Sequence, residues 1–183
     1  MSKTPINMIE LCNLAWDRRT KLAPSEYYQK TKNLLSHAYV EYKNMFVDFC
    51  RNKGESYNDQ VFYIFQHILV FLMMCDDDFL QGEYDCYKTF CEYANFEPLT
   101  VDGVRPLYNR LTVDDLSSDI SLLRDLRGYL KDPDNYEAMV QGFCYFCLSG
   151  DKAMDENEYY ILRCFFESCD YCPSTWEQFK REW

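Results

Sequence analysis

The sequence predicts an all-α fold: an internally duplicated bundle of about eight or nine helices, with N-terminal helices packed on it. Three observations carry the helical part and the duplication. Apolar residues recur at three- and four-residue spacing almost throughout, and strand-like alternation is nearly missing. Six Gly and six Pro leave little material for β-turns. A shift of 75 lays residues 67–108 on residues 142–183 without a gap.

The elements follow in order. Met8, Leu11, Cys12 and Ala15 mark a short first helix. Pro24 and Ser25 open a long one, with Ser25 as its expected N-cap. Tyr28, Leu34, Leu35, Ala38, Tyr39, Tyr42, Met45, Phe46 and Phe49 give it an apolar face, and Gly54 ends it. A third helix covers about Asp59–Cys75 and a fourth about Glu83–Asn95. Pro98 punctuates, and Thr100 caps a fifth helix to Arg110. Thr112 with Asp115 forms a capping box for a sixth, expected to reach Lys131. Asp132-Pro133-Asp134 is a break. Tyr136–Leu148, Glu156–Cys169 and Thr175–Trp183 complete the set. Residues 1–183 read as one domain: an N-terminal helical extension (1–58), repeat one (59–110), a connecting helix (111–134) and repeat two (135–183).

A chain of 183 residues with 48% apolar and 17% aromatic content supports one sizeable core. The longest apolar run, Ile68–Cys75, is far below the roughly 18–20 residues of a membrane span. Lys3 and Glu10, with no long apolar stretch behind them, give no secretory signal. These features lead to the expectation of a cytoplasmic protein whose ten cysteines are reduced thiols used as small hydrophobes. The charge is uneven: residues 1–60 carry net +2 and residues 61–183 net −13. An acidic surface repels phosphate backbones, so direct nucleic-acid binding is not expected. Cations and basic proteins are the partners it suits.

The two copies share eight identities at structural punctuation. Phe71 matches Phe146, Asp76 matches Asp151, and Glu83-Tyr84 matches Glu158-Tyr159. Phe90 matches Phe165, Glu92 matches Glu167, Pro98 matches Pro173, and Thr100 matches Thr175. Each copy reads apolar helix, acidic turn, amphipathic helix, Pro break, short helix. The turn runs Asp, two residues, an apolar residue, three residues, Glu. The apolar residue (Phe79 or Met154) plugs the loop into the core. The Glu falls in the first turn of the next helix, where the macrodipole favours negative charge.

These turns resemble the helix–turn–helix signature of TerB-like domains, named for a tellurite-resistance protein. The matching residues are Cys75-Asp76, Phe79 and Glu83, then Gly150-Asp151, Met154 and Glu158, over roughly residues 60–183. The Gly that follows the Asp in that family is replaced here by Asp77 and Lys152. The resemblance implies an acidic, divalent-metal-binding interaction module of stress-response type, with no catalysis to carry over.

Hard cations such as Ca²⁺ or Mn²⁺ take clustered oxygen ligands. The candidates are Asp76, Asp77, Asp78 and Glu83 in copy one, and Asp151, Asp155, Glu156 and Glu158 in copy two. Helix capping is the competing explanation of the same residues. Neither turn is an EF-hand loop, since the twelfth positions from Asp76 and Asp151 are Tyr87 and Leu162. Cys144-Tyr-Phe-Cys147 and Cys169-Asp-Tyr-Cys172 have a zinc-like spacing, but mid-helix placement and the copy-one equivalents Leu69 and Leu72 favour core roles. His37 and His67 lack any metal or nucleophile motif around them, and no P-loop, GxGxxG or GxSxG is present. The Tyr-rich faces, such as Tyr84, Tyr87 and Tyr93, are expected at a core rim or in a protein-binding groove. The expected function is a non-enzymatic acidic interaction module, metal-responsive in the TerB-like manner. The alternative is a phage-like acidic inhibitor occupying the basic groove of a nucleic-acid-acting enzyme.

Overall fold

The computed structural model describes residues 23–151 and 155–166. These form seven α-helices: α1 (Pro24–Lys53), α2 (Gln60–Met74), α3 (Gln81–Ala94), α4 (Val101–Arg110), α5 (Val113–Asp125), α6 (Asp134–Asp151) and α7 (Glu156–Phe166). One 3₁₀ turn, Leu126–Tyr129, follows α5, and no strand is found among the described residues. The expected helices around Met8–Ala15 and Thr175–Trp183 lie outside the described residues. Among those described, no helix is long and apolar enough to cross a membrane.

Local chemistry accounts for most boundaries. The start of α1 differs from expectation. Ala23 is the N-cap, Pro24 takes the first helical position, and Glu26 Oε2 accepts the Ala23 N–H at 2.6 Å. Proline at that position needs no hydrogen bond and already has a helical φ, so Ser25 falls inside the first turn rather than capping it. Gly54 ends α1 at φ 70°, and Asn95 ends α3 at φ 61°, both in the left-handed region that closes a helix. The Thr112 box forms as read: its Oγ1 accepts the Asp115 N–H at 3.1 Å, and Asp115 Oδ2 accepts the Thr112 N–H at 2.9 Å. α5 does not reach Lys131. It tightens to 3₁₀ across Gly128, and the extended Leu130 turns into the core.

α1 is the spine of the described residues. It runs along α6 in the most extensive helix contact, and along α3 and α2 as well. The approach to α6 is close because residue 142 is Gly: a Cβ there would sit 2.7 Å from Leu35 Cδ2. Tyr39 of α1 meets Phe62, Phe65 and Phe90 edge-on. Phe65 continues to Phe143, and Phe143 to Phe165. This chain of rings joins α1, α2, α3, α6 and α7 in one core. Residues 1–58 were read as an extension, and the part of them in α1 is thus inside the common core.

Three buried tyrosines satisfy their hydroxyls on backbone or amide groups, whereas the Tyr39 hydroxyl is buried with no hydrogen-bond partner among the described residues. Tyr42 donates to the Leu123 carbonyl and Tyr136 to the Phe165 carbonyl. Tyr87 Oη accepts the Leu99 N–H and a Gln66 amide proton. Burial repeats at the 75-residue shift. Positions 68, 69, 70, 72, 73 and 74 are buried, as are 143, 144, 145, 147, 148 and 149; Glu83, Cys86, Tyr87 and Phe90 are buried, as are Glu158, Ile161, Leu162 and Phe165.

A Cβ at residue 82 would fall 2.1 Å from the Ser149 carbonyl oxygen, whereas one at Gly128 meets nothing within 4 Å. Backbone cannot swing aside as a side chain does. Gly82→Ala is therefore expected to lower unfolding free energy by about 2 kcal/mol or more. Gly128→Ala should stay within about 0.5 kcal/mol of the parent. Urea denaturation of the three proteins checks both.

Candidate functional site

The two acidic turns meet. Gly82, in the first turn of α3, lies against Ser149 and Gly150 at the end of α6. Asn157, in the first turn of α7, donates through Nδ2 to the Cys75 carbonyl at the end of α2, at 3.3 Å. Residues 82 and 157 differ by the same shift of 75 as residues 75 and 150. Each helix start therefore rests on the helix end of the other hairpin. A Cβ at Gly150 would lie 2.6 Å from Leu80 Cδ1 and 3.2 Å from Glu83 Cδ, so glycine is what lets Glu83 in.

The closeness of this junction buries two carboxylates. Glu83 is 3% exposed and Glu158 is 4% exposed. Glu158 belongs to a reciprocal cap: its Oε2 accepts the Asp155 N–H at 2.8 Å, while Asp155 Oδ1 accepts the Glu158 N–H at 2.7 Å. Burial pushes the Glu158 carboxyl up to about 8. The Asp155 backbone bond and the Cys147 side chain oppose that rise, while the charges of Asp155 and Asp76 add to it. Cys75, at the end of α2, and the buried Cys147 have thiols held well above their ordinary range, chiefly by burial and then by Glu158. Such thiols stay protonated and act as packing groups and weak donors.

The eight expected ligand residues are not equivalent in space. Asp76, Asp77 and Asp78 are exposed, and Asp76 Oδ1 accepts the Asp78 N–H at 2.9 Å in a local turn. Partial desolvation and the nearby Asp155 hold the Asp76 carboxyl above its usual range. Asp77 sits at φ 62°, in the left-handed region that glycine enters most readily. Glu156 is exposed and accepts the Tyr160 hydroxyl at 3.2 Å. The Asp151 side chain lies outside the described residues. Among those described, no three His, Cys, Asp or Glu side chains converge in a metal-holding group. Asp155 and Glu158 are committed to the helix start. Cys144 and Cys147 are buried in α6, while Cys169 and Cys172 fall outside the described residues.

Two features went unnoticed in the sequence. His67 Nδ1 lies 2.9 Å from Asp119 Oδ2 and ties α2 to α5; no spacing rule links residues so far apart in the chain. The second is a groove of about 370 Å³ beside the acidic junction. Phe71, Leu116, Ile120 and Ile161 line it, with Tyr108, Val113 and Tyr160 at its edges. Val113 is 73% exposed and Tyr160 48%. Charged groups lie beside it: Asp77 and Asp76 raise the Tyr108 phenol after burial and Cys75, Arg105 lowers it, and Glu156 holds Tyr160.

Compared with known protein families, curated proteins and solved structures, the chain matches none. The TerB-like resemblance accordingly rests on the turn residues alone.

The raised Glu158 carboxyl fixes the sign of a pH effect. The folded protein holds a proton that the unfolded chain releases near the ordinary glutamate value of 4.5. That contribution to stability is complete below 4.5 and is lost as pH rises through about 8. The groups facing Glu158 are Asp155 on its own turn, Cys147 on α6, and Asp76 at the end of α2. The melting temperature is expected to fall between about pH 5 and pH 8.5, and Glu158→Gln should flatten that slope. Parallel melting curves for the two proteins would rule out this assignment.

Proposed function

We propose that this protein is a non-enzymatic acidic interaction module, built on two related helical hairpins, that holds a basic amphipathic helix of a partner protein in the groove between α4–α5 and α7. The observation that carries this reading is an apolar floor with an acidic rim. Phe71, Leu116, Ile120 and Ile161 offer a surface for the apolar stripe of a helix. Asp76 and Asp77 beside Tyr108, and Glu156 on Tyr160, are the carboxylates offered to lysines and arginines on its flanks. The net charge of −13 on residues 61–183 attracts a basic partner to the protein as a whole. A basic enzyme captured by an acidic inhibitor is one case of the same recognition. The relation of the two hairpins is supported by the repeated burial pattern and the reciprocal seating of residues 82 and 157.

The test uses a fluorescent amphipathic Lys/Leu helix of about 18 residues as the probe in anisotropy titrations. Binding is expected to weaken steeply as NaCl rises from about 50 to 500 mM. Val113→Arg and Glu156→Lys should each weaken it roughly tenfold, and Phe49→Arg, outside this groove, should leave it unchanged. Equal affinity for parent and groove variants would defeat the proposal, since peptide held by diffuse charge alone would ignore Val113.

A further inference from the structure

We infer that the junction between the two hairpins is the latch of the groove: the groove holds its binding shape only while the start of α7 rests on the end of α2. This deepens the reading of the groove as a helix-binding site and rests on it. Junction and groove share residues. Phe71 and Cys75 bring the end of α2 to the groove, and Asn157, Tyr160 and Ile161 bring the start of α7. Asn157 and Cys75 are also donor and acceptor of the 3.3 Å bond that ties α7 to α2 across the junction. A shift of the α7 start off the end of α2 therefore parts two walls of the groove and takes Ile161 away from Phe71.

The same seat carries the charge that releases it. Glu158, next to Asn157, is buried against Cys75 of α2 and Cys147 of α6, and Glu83 of α3 bears on the same two thiols. Asp155 on its own turn and Asp76 at the end of α2 add like charge. The Asp155 N–H and the Cys147 thiol donate to Glu158 and hold it in place. Once ionised, this carboxylate is a buried charge among acids, and the way to water is an outward move of the α7 start. Protonated, it lets the seat close. Groove occupancy and junction closure are then one linked equilibrium, and affinity falls in proportion to the closed fraction. The rim by itself gives the opposite sign: arginines of a bound helix attract ionised carboxylates, so charge alone makes binding tighter as pH rises.

Anisotropy titrations of the full chain with a fluorescent amphipathic Arg/Leu helix, at about pH 6.5 and about pH 9 in constant salt, test this. Burial pushes the Glu158 carboxyl up to about 8, so roughly a tenth of the protein keeps that proton at about pH 9. The parent is expected to bind about tenfold more weakly there than at about pH 6.5. Glu158→Gln retains a capping side chain and should hold the parent's low-pH affinity at both values. At the higher pH the variant is thus expected to bind more tightly than the parent, a gain that loss of folding cannot produce. His67, the rim acids and the probe are common to both proteins, so their titration cancels in the comparison. A parent that binds as tightly or more tightly at the higher pH, or a variant no tighter than the parent there, overturns the latch and leaves the groove reading standing. A parent that does not bind the probe at about pH 6.5 overturns the groove reading and the latch with it.

Discussion

The architecture depends on a backbone-to-backbone contact at the junction of the two hairpins. Gly82 presses on the Ser149 carbonyl, and Gly150 leaves room for Glu83 and Leu80. At Gly82 a Cβ would meet backbone and has no room, whereas at Gly150 it would displace the Leu80 and Glu83 side chains. Because the helix starts are seated so closely on opposing helix ends, Glu83 and Glu158 cannot stay in water, while Glu156 in the same turn remains exposed. The burial of Glu83 and Glu158 is thus a consequence of packing. The cost of placing carboxylates there is met by a cap at Asp155 and by holding the Glu158 proton to higher pH.

Around that junction α1 acts as a common wall. Its Tyr39 and Tyr42 reach different neighbours, one through ring edges and the other through a hydroxyl on the Leu123 carbonyl. An aromatic side chain that fills a core and also satisfies a helix-end carbonyl serves two needs at once. Tyr136 does the same at Phe165, which binds α6 to α7.

Much of this was legible in the chain. The helical spacing, Gly54, Asn95, the Thr112 box and the core placement of Cys144 and Cys147 all derive from local rules, and local rules can be read in sequence. The start of α1 was misplaced by two residues, because Ser25 is a better capping side chain than Ala23, while Pro24 fixes the geometry one position earlier. The turn acids were identified, but their division into buried Glu83 and Glu158 and exposed Asp76, Asp77 and Asp78 was not. That division depends on which helix end lies opposite, a tertiary fact. The same reason hid the His67–Asp119 pair and the groove, whose walls come from helices distant in the chain.

The thiols at the junction have a further consequence. Cys147 is 1% exposed, and Cys75 sits beside it at the end of α2. Both are kept protonated by burial and by neighbouring carboxylates, and at the buried Cys147 alkylating reagents meet neither a nucleophile nor an open path. Modification of Cys147 can proceed only in molecules whose hairpins have separated. The protein thereby carries a chemical clock for the opening of its own junction, read as the rate at which one sulfur becomes reactive.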